Sequence, residues 1–380
     1  MTPLGCIQKS AATALTASLL ALFAFACRES AEQPPKNAVP FAVGALVPLT
    51  GPGSEMGPRT REGFVLYWEL HPKLVERPVR TIVEDNKGNP RDGLSAFYAL
   101  QARAGGDLVL LLTQLSGVAA AVAPNTKTVN FLQFGLAATP ALLEHLWNYR
   151  TYASADRIGE MLVSAPAALL SVKRIYLLAM ADEYARAVAD SFKRLVGTWG
   201  LEVLGQELFP PDATDISSVV QKAMASNPDA VVVTGFGRTP VSCIRRLREL
   251  GFSGAIFGDP AAAYKPYTAL IGDAAEGLYV VDLDFPLDRP TESAIDFRRA
   301  FVEKYQHEPD LGNVLAFASM EIFAEAARRA GSVEPEAVAS VLDQGFSLDT
   351  ALGSTRLLER DTQFPLVLKV IRSGEAQRVQ

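Results

Sequence analysis

The stretch Phe41-Ala42-Val43-Gly44-Ala45-Leu46-Val47-Pro48-Leu49 is apolar along its length, and Thr50-Gly51-Pro52-Gly53-Ser54-Glu55-Met56-Gly57 follows it as a Gly-rich turn. An amphipathic run, Arg59–Glu69, comes next. A strand apolar on both faces fits a parallel sheet covered on both sides, and strand, turn and helix in that order make the repeating unit of an α/β fold. The unit recurs. Val79–Val83, Leu108–Leu112 and Phe131–Phe134 read as strands, with helical patterns at Arg91–Ala104 and Gly117–Thr128 between them. A second set has strands near Arg174–Leu178, Val203–Leu208, Ala230–Thr234 and Ala255–Phe257, and helices near Ala155–Leu170, Tyr184–Trp199, Ser217–Ala225 and Pro240–Leu250. Two sets of alternating elements joined by right-handed crossovers imply two doubly wound lobes.

Beyond a strand at Gly277–Val281 come helical patterns at Thr291–Tyr305, Leu315–Ala330 and Glu334–Leu342, then strands at Thr355–Leu358 and Phe364–Ile371. No long Gly/Ser linker separates the lobes, so the chain is expected to pass between them near Ala155, near Val281 and near Thr355. That divides it into one lobe of residues 41–154 and 282–355 and another of 155–281 and 356–380. Hydrophobic residues make up 49% and charged residues 21% of the 380, which excludes a disordered or collagen-like chain. The net charge is −6, with Lys and Arg scattered, so neither nucleic acid nor an anionic membrane surface is an expected partner.

The N-terminus reads as an address. Lys9 precedes Ala11–Ala26, an uncharged apolar run that spans about 24 Å as a helix, short of the roughly 30 Å hydrocarbon core. Residues 1–26 therefore read as a signal peptide, with a membrane-spanning helix as the alternative. Its end, Ala24-Phe25-Ala26-Cys27, resembles the bacterial lipobox, with Ala24 where that pattern usually has Leu. The Cys27 thiol would carry the lipid, and residues 27–40, with Pro34, Pro35 and Pro40, would form the tether. Cleavage without a lipid is the alternative. Cys243 then has no cysteine partner in the mature chain and reads as a small buried residue.

In open α/β sheets ligands bind beyond the carboxyl ends of the strands. Three loops qualify. The Gly-rich turn ending at Gly57 lacks the Lys and the spacing of a phosphate loop. Thr113-Gln114-Leu115-Ser116-Gly117 places Ser116 at a helix start, either as the cap or as donor to a carboxylate. Gly135-Leu136-Ala137-Ala138-Thr139-Pro140 carries a capping signature at Thr139. Neither Gly-x-Ser-x-Gly nor His-Glu-x-x-His occurs, and His71, His145 and His307 stand in contexts that suit exposed or packing residues. No nucleophile–base set can be assembled, so the chain is not expected to be an enzyme, and neither metal nor cofactor is called for.

Ala45-Leu46-Val47-Pro48-Leu49-Thr50-Gly51-Pro52, Glu84-Asp85-Asn86-Lys87-Gly88-Asn89-Pro90, Ala137-Ala138-Thr139, Tyr149-Arg150-Thr151 and Gly272-Asp273-Ala274-Ala275-Glu276-Gly277-Leu278-Tyr279 together resemble the type I periplasmic binding proteins, in their leucine/isoleucine/valine-binding branch. The resemblance covers nearly all of Phe41 to Ile371. It implies two Rossmann-like lobes closing by a hinge on an amino acid, amide or small carboxylate. It assigns the carboxylate to positions like Ser116 and Thr139, with backbone near Ala137 facing the ligand. The second lobe would add aromatics at Tyr184 and Phe236, and Asp259 would pair with the ligand ammonium or serve as turn former before Pro260.

Met56 stands where such binders often have an aromatic, Phe236 replaces a frequent Tyr, and Ala316-Phe317-Ala318 stands where many relatives read Ala-Tyr-Asp. These departures point to an apolar pocket for a hydrophobic or aromatic acid. The resemblance thus implies an extracytoplasmic lipoprotein, at the periplasm or cell surface, that captures a small hydrophobic amino acid or related carboxylate for an ABC permease. The alternative is an envelope lipoprotein that uses the fold to regulate a cell-wall enzyme or sensor.

Overall fold

The computed structural model describes residues 39–169, 172–285 and 290–379. The proposed signal peptide, Cys27 and the tether up to residue 38 lie outside the described residues. Strands β1 (Phe41–Val47), β2 (Lys73–Leu74), β3 (Arg77–Asp85), β4 (Leu108–Gln114), β5 (Leu132–Leu136) and β6 (Asn148–Arg150) come first. They are followed by β7 (Arg174–Met180), β8 (Glu202–Phe209), β9 (Ala230–Thr234), β10 (Ala255–Gly258) and β11 (Tyr279–Leu283). The C-terminal region adds β12 (Phe346–Thr350), β13 (Gly353–Leu358), β14 (Asp361–Thr362), β15 (Leu366–Arg372) and β16 (Glu375–Arg378).

Among the described residues these strands form two sheets, ordered β12-β13-β14-β6-β5-β4-β1-β3-β2 and β16-β15-β11-β10-β9-β7-β8. The central strands pair in parallel, and β1, β4, β5 and β9 are buried at every position, as expected for strands covered by helices on both faces. The first sheet reverses its order around β1, with β3 on one side and β4 on the other. The loops after these strands open together at their carboxyl ends, which is where such a sheet offers a crevice. Helix Gly57–Leu70 packs on helix Leu311–Ala330, and a side chain at Gly63 would meet the Asn313 backbone. Among the described residues no helix is long and apolar enough to cross a membrane.

The last return to the second sheet falls later than the sequence suggests. Thr355 lies mid-strand in β13, opposite Leu348, and Asp361 in β14 pairs with Arg150 of β6, so the chain leaves the first sheet after Thr362 and enters β15 at Leu366. Likewise Asp282 and Leu283 belong to β11 and pair with β15. The hidden element is a hairpin whose two turn residues, Glu359 and Arg360, have φ of 50° and 65°. Such a turn normally announces itself with Asn or Gly, and here it does not. The Arg150–Asp361 ion pair, 2.8 Å, joins the returning strand to β6.

The pattern expected as one helix over Gly117–Thr128 is three shorter pieces, Ser116–Val122, Ala123–Asn125 and Thr126–Val129, with Pro124 at the break. The helix expected from Leu315 starts four residues earlier, at Leu311. Asp310 caps it, accepting from the Gly312 and Asn313 N–H groups, and Asn313 returns a bond to the Asp310 N–H.

Candidate functional site

The turn after β1 is pinned from β3. One oxygen of Asp85 accepts the N–H groups of Leu49 (2.9 Å) and Lys87 (2.9 Å), and the other accepts the Thr50 hydroxyl (2.5 Å). Partial burial works to raise its pKa, but these bonds, which favour the charged form, hold it below the usual carboxylate range. Asn86, fully buried, donates to the backbone carbonyls of Leu46 (3.2 Å) and Gln114 (3.1 Å), so the ends of β1, β3 and β4 are fastened together. Met56 is thereby set at the start of helix Gly57–Leu70.

Ser116 does not cap its helix. The cap position is Leu115, which makes no side-chain bond, and the Ser116 hydroxyl accepts the Ala138 N–H at 3.1 Å across to the loop after β5. Leu115 is held at φ 82°, a conformation that costs a non-glycine residue about 1–3 kcal/mol. Thr139 does cap, accepting the Ala141 N–H at 3.2 Å, and its hydroxyl donates to Glu183 Oε1 at 2.7 Å on the opposite side. Its carbonyl takes Arg150 Nη2 at 2.9 Å.

From the second sheet, Tyr184 enters on helix Glu183–Leu195, whose cap Asp182 accepts the Tyr184 and Ala185 N–H groups. Phe236 follows β9 between Gly235 and Gly237, and its ring centroid lies 6.3 Å from that of Tyr184. Asp259 follows β10. It is fully buried, and its oxygens accept the Gly235 N–H (2.8 Å) and the Ala261 N–H (3.0 Å). Burial pushes its pKa up to about 7, against the pull of those two bonds.

These loops surround a cavity of about 70 Å3 between the carboxyl ends of the two sheets. At about 10–15 Å3 per water-sized probe this admits a ligand of a few heavy atoms to the size of a small amino acid. Met56, Ser116, Ala137, Tyr184 and Phe236, all singled out in the sequence, share its wall. Thr139 and Asp259 do not: Thr139 is turned to Glu183, and Asp259 sits behind Pro260 and Ala261, which form the wall at that point. The wall also holds Gln114, which the sequence named only as part of its loop, and Thr60, Tyr152, Tyr264, Leu311 and Leu315, which it did not mark as site residues. The capping pair Asp310 and Asn313 was the available signal for the Leu311 turn; nothing local marks Tyr152 or Tyr264.

Among the described residues, three buried wall groups lack hydrogen-bond partners: Thr60 Oγ1, Gln114 Oε1 and the Tyr184 hydroxyl. Burial, then the charges of Asp259 and the neighbouring Tyr152, raise the Tyr184 pKa well above its ordinary value, so its phenol stays protonated. An outer cleft of about 390 Å3 shares Leu115 and Phe236 with the cavity and reaches Gly88, Asp182 and Arg186. Away from the cavity lining, Arg238 Nε meets Glu55 Oε1 at 3.0 Å and the Tyr267 hydroxyl reaches Glu55 Oε2 at 3.4 Å, and the hydroxyl of the wall residue Tyr264 donates to Asp310 Oδ1 at 3.1 Å. No group of three or more His, Cys, Asp or Glu among the described residues is arranged to hold a metal ion.

A family model described as "Periplasmic binding protein" matches residues 40–372. The Leu/Ile/Val-binding protein BraC3 of Rhizobium johnstonii is 26% identical over 349 residues, covering 89% of this chain and 91% of its own. Among solved structures, a leucine binding protein, LivK, from Thermotoga maritima superposes with a TM-score of 0.83 at 21% identity, covering 90% of this chain and 98% of its own. The solute binding protein of an ABC transporter from Rhodopseudomonas palustris, in complex with 3,4-dihydroxybenzoic acid, gives 0.79 at 17% identity, covering 90% and 96%. At such identities the two structures show a shared fold.

Proposed function

The chain belongs to the periplasmic binding protein family, and from that premise we propose that it is the extracytoplasmic substrate-binding component of an ABC transporter, capturing a small hydrophobic amino acid or a related carboxylate. The observation that carries the reading is the cavity between the two sheets, walled by Met56, Ser116 and Ala137 from one side and by Tyr184 and Phe236 from the other. Contacts to both sides stabilise the closed arrangement over an open one, so binding free energy becomes hinge closure between two lobes, each built on one sheet. Ser116 and the backbone at Ala137 take the polar end of the ligand, and Met56, Tyr184 and Phe236 pack its apolar part. Capture and release require no covalent step. The mature chain is held at the envelope by a lipid on Cys27 and hands its ligand to a membrane permease.

Thermal unfolding of the mature, refolded protein without its lipid tests this against a panel of amino acids, amides and aromatic acids. A ligand at ~100 times its dissociation constant adds about 2.7 kcal/mol of stability, a visible rise in melting temperature. The expected result is a rise with one chemical class that is lost in Ser116→Ala. A flat response across the whole panel would sink the proposal.

A further inference from the structure

We propose that the ligand of this cavity is a small apolar monocarboxylate that carries no ammonium group; the inference rests on the capture function above and narrows it. Among the described residues, every side chain in the cavity wall is uncharged. The buried carboxylate Asp259 accepts the Gly235 and Ala261 N–H groups and does not line the cavity, whose wall at that point is Pro260, Ala261 and Tyr184. An ammonium desolvated here would meet only neutral oxygens, and a buried ion without an opposite charge is strongly unfavourable. A zwitterion adds that cost to the cost of its carboxylate.

A lone carboxylate is better served. The Ser116 hydroxyl already accepts from the Ala138 N–H, so its own proton is left to offer. Thr60 Oγ1 is fully buried with no partner and can turn a proton the same way. Gln114, 8% exposed, has its Oε1 buried without a partner among the described residues, and with the amide turned by 180° the same position offers an N–H to a ligand oxygen. Three neutral donors converge on one apolar space, and buried polar groups left without a partner are a standing cost that a ligand oxygen removes. A pure hydrocarbon would leave that cost in place.

The test is isothermal titration calorimetry of the refolded protein with pairs of molecules that differ only in the amine: 4-methylpentanoate against leucine, and 3-phenylpropanoate against phenylalanine. The acid of at least one pair is expected to bind at least ~10-fold more tightly than its amino acid. If leucine or phenylalanine binds as tightly as its acid, or more tightly, this inference falls and the capture function stands. If 4-methylpentanamide matches the acid, the carboxylate assignment falls. If no member of either series binds, the inference falls, and if the remaining amino acids, amides and aromatic acids also fail to bind, the capture function falls with it. Gln114→Glu supplies a second arm by adding a carboxylate to the wall: it is expected to weaken the acid by ~10-fold or more and to favour the amine-bearing partner. Unchanged affinity for the acid in that variant would overturn the inference.

Discussion

The Ser116 hydroxyl accepts the Ala138 N–H across 3.1 Å, so a side chain at the end of β4 holds the backbone at the end of β5. Both residues are buried, and both line the cavity. One side chain therefore shapes the loop and stands in the cavity wall. Replacing Ser116 with Ala leaves a buried N–H without an acceptor, a loss of about 1–3 kcal/mol. Urea unfolding of Ser116→Ala should show that loss without ligand, and calorimetry should show weakened binding beside it. Full stability with lost binding would mean that water replaces the hydroxyl at Ala138.

Stability should rise on mild acidification. Burial raises the pKa of Asp182 to about 6 and those of Asp259 and Glu321 to about 7, so between about pH 4 and 7 the folded chain binds more protons than the unfolded one. These groups therefore add stability as pH falls through that window and remove it as pH rises. Asp85, Asp229 and Glu308, whose pKa values are lowered, oppose the trend only below the ordinary carboxylate range. Denaturant midpoints at pH 5 and pH 7.5 check the sign; a lower midpoint at pH 5 would contradict it.

Glu55 should act on closure more than on folding. It stands on the turn after β1 and meets Arg238 and Tyr267 of the opposite side. Arg238 is 76% exposed, so the ion pair is screened and contributes at most about 1 kcal/mol. Glu55→Gln is expected to move the melting temperature little and to raise the dissociation constant of a captured ligand a few-fold, up to ~5-fold, by making the closed arrangement less populated. Equal affinities for the variant and the parent would remove Glu55 from the closing contacts.

Gly312 has a tighter constraint. A Cβ there would lie 2.5 Å from the Tyr264 hydroxyl, which donates to Asp310 at the cap of the same helix. Gly312→Ala should displace Tyr264 from the cavity wall and destabilise the fold by about 1–3 kcal/mol. Thermal unfolding measures the second effect, and altered ligand preference reports the first. A variant as stable as the parent would mean that Tyr264 yields freely.

The rhythm of apolar strands and amphipathic helices was legible because parallel strands covered on both faces have no polar positions to blur the signal, as in β1 and β4. Loops that directly follow such strands, with Ser116, Ala137 and Phe236, were legible for the same reason. Tyr264, at the far end of the turn after β10, and Leu311, at the start of a helix, were not, since tertiary packing sets their relation to the cavity. Asp259 shows a finer limit. Neighbouring residues in a turn face different ways, and here the two N–H groups of Gly235 and Ala261 draw the carboxylate inward and leave Pro260 at the wall. The hairpin at Glu359 and Arg360 was hidden because neither residue is one that left-handed turns favour.

The route of the chain also bears on when it can fold. The first sheet gains β12 to β14 only after residue 345, and β11 of the second waits for β15 at residues 366–372. As the polypeptide grows from its first residue, both sheets keep an open edge until nearly the whole length has been made. Pairings this distant in sequence, such as Arg150 with Asp361, close large loops and form slowly. A nascent chain of this design therefore completes neither sheet until its synthesis is almost finished.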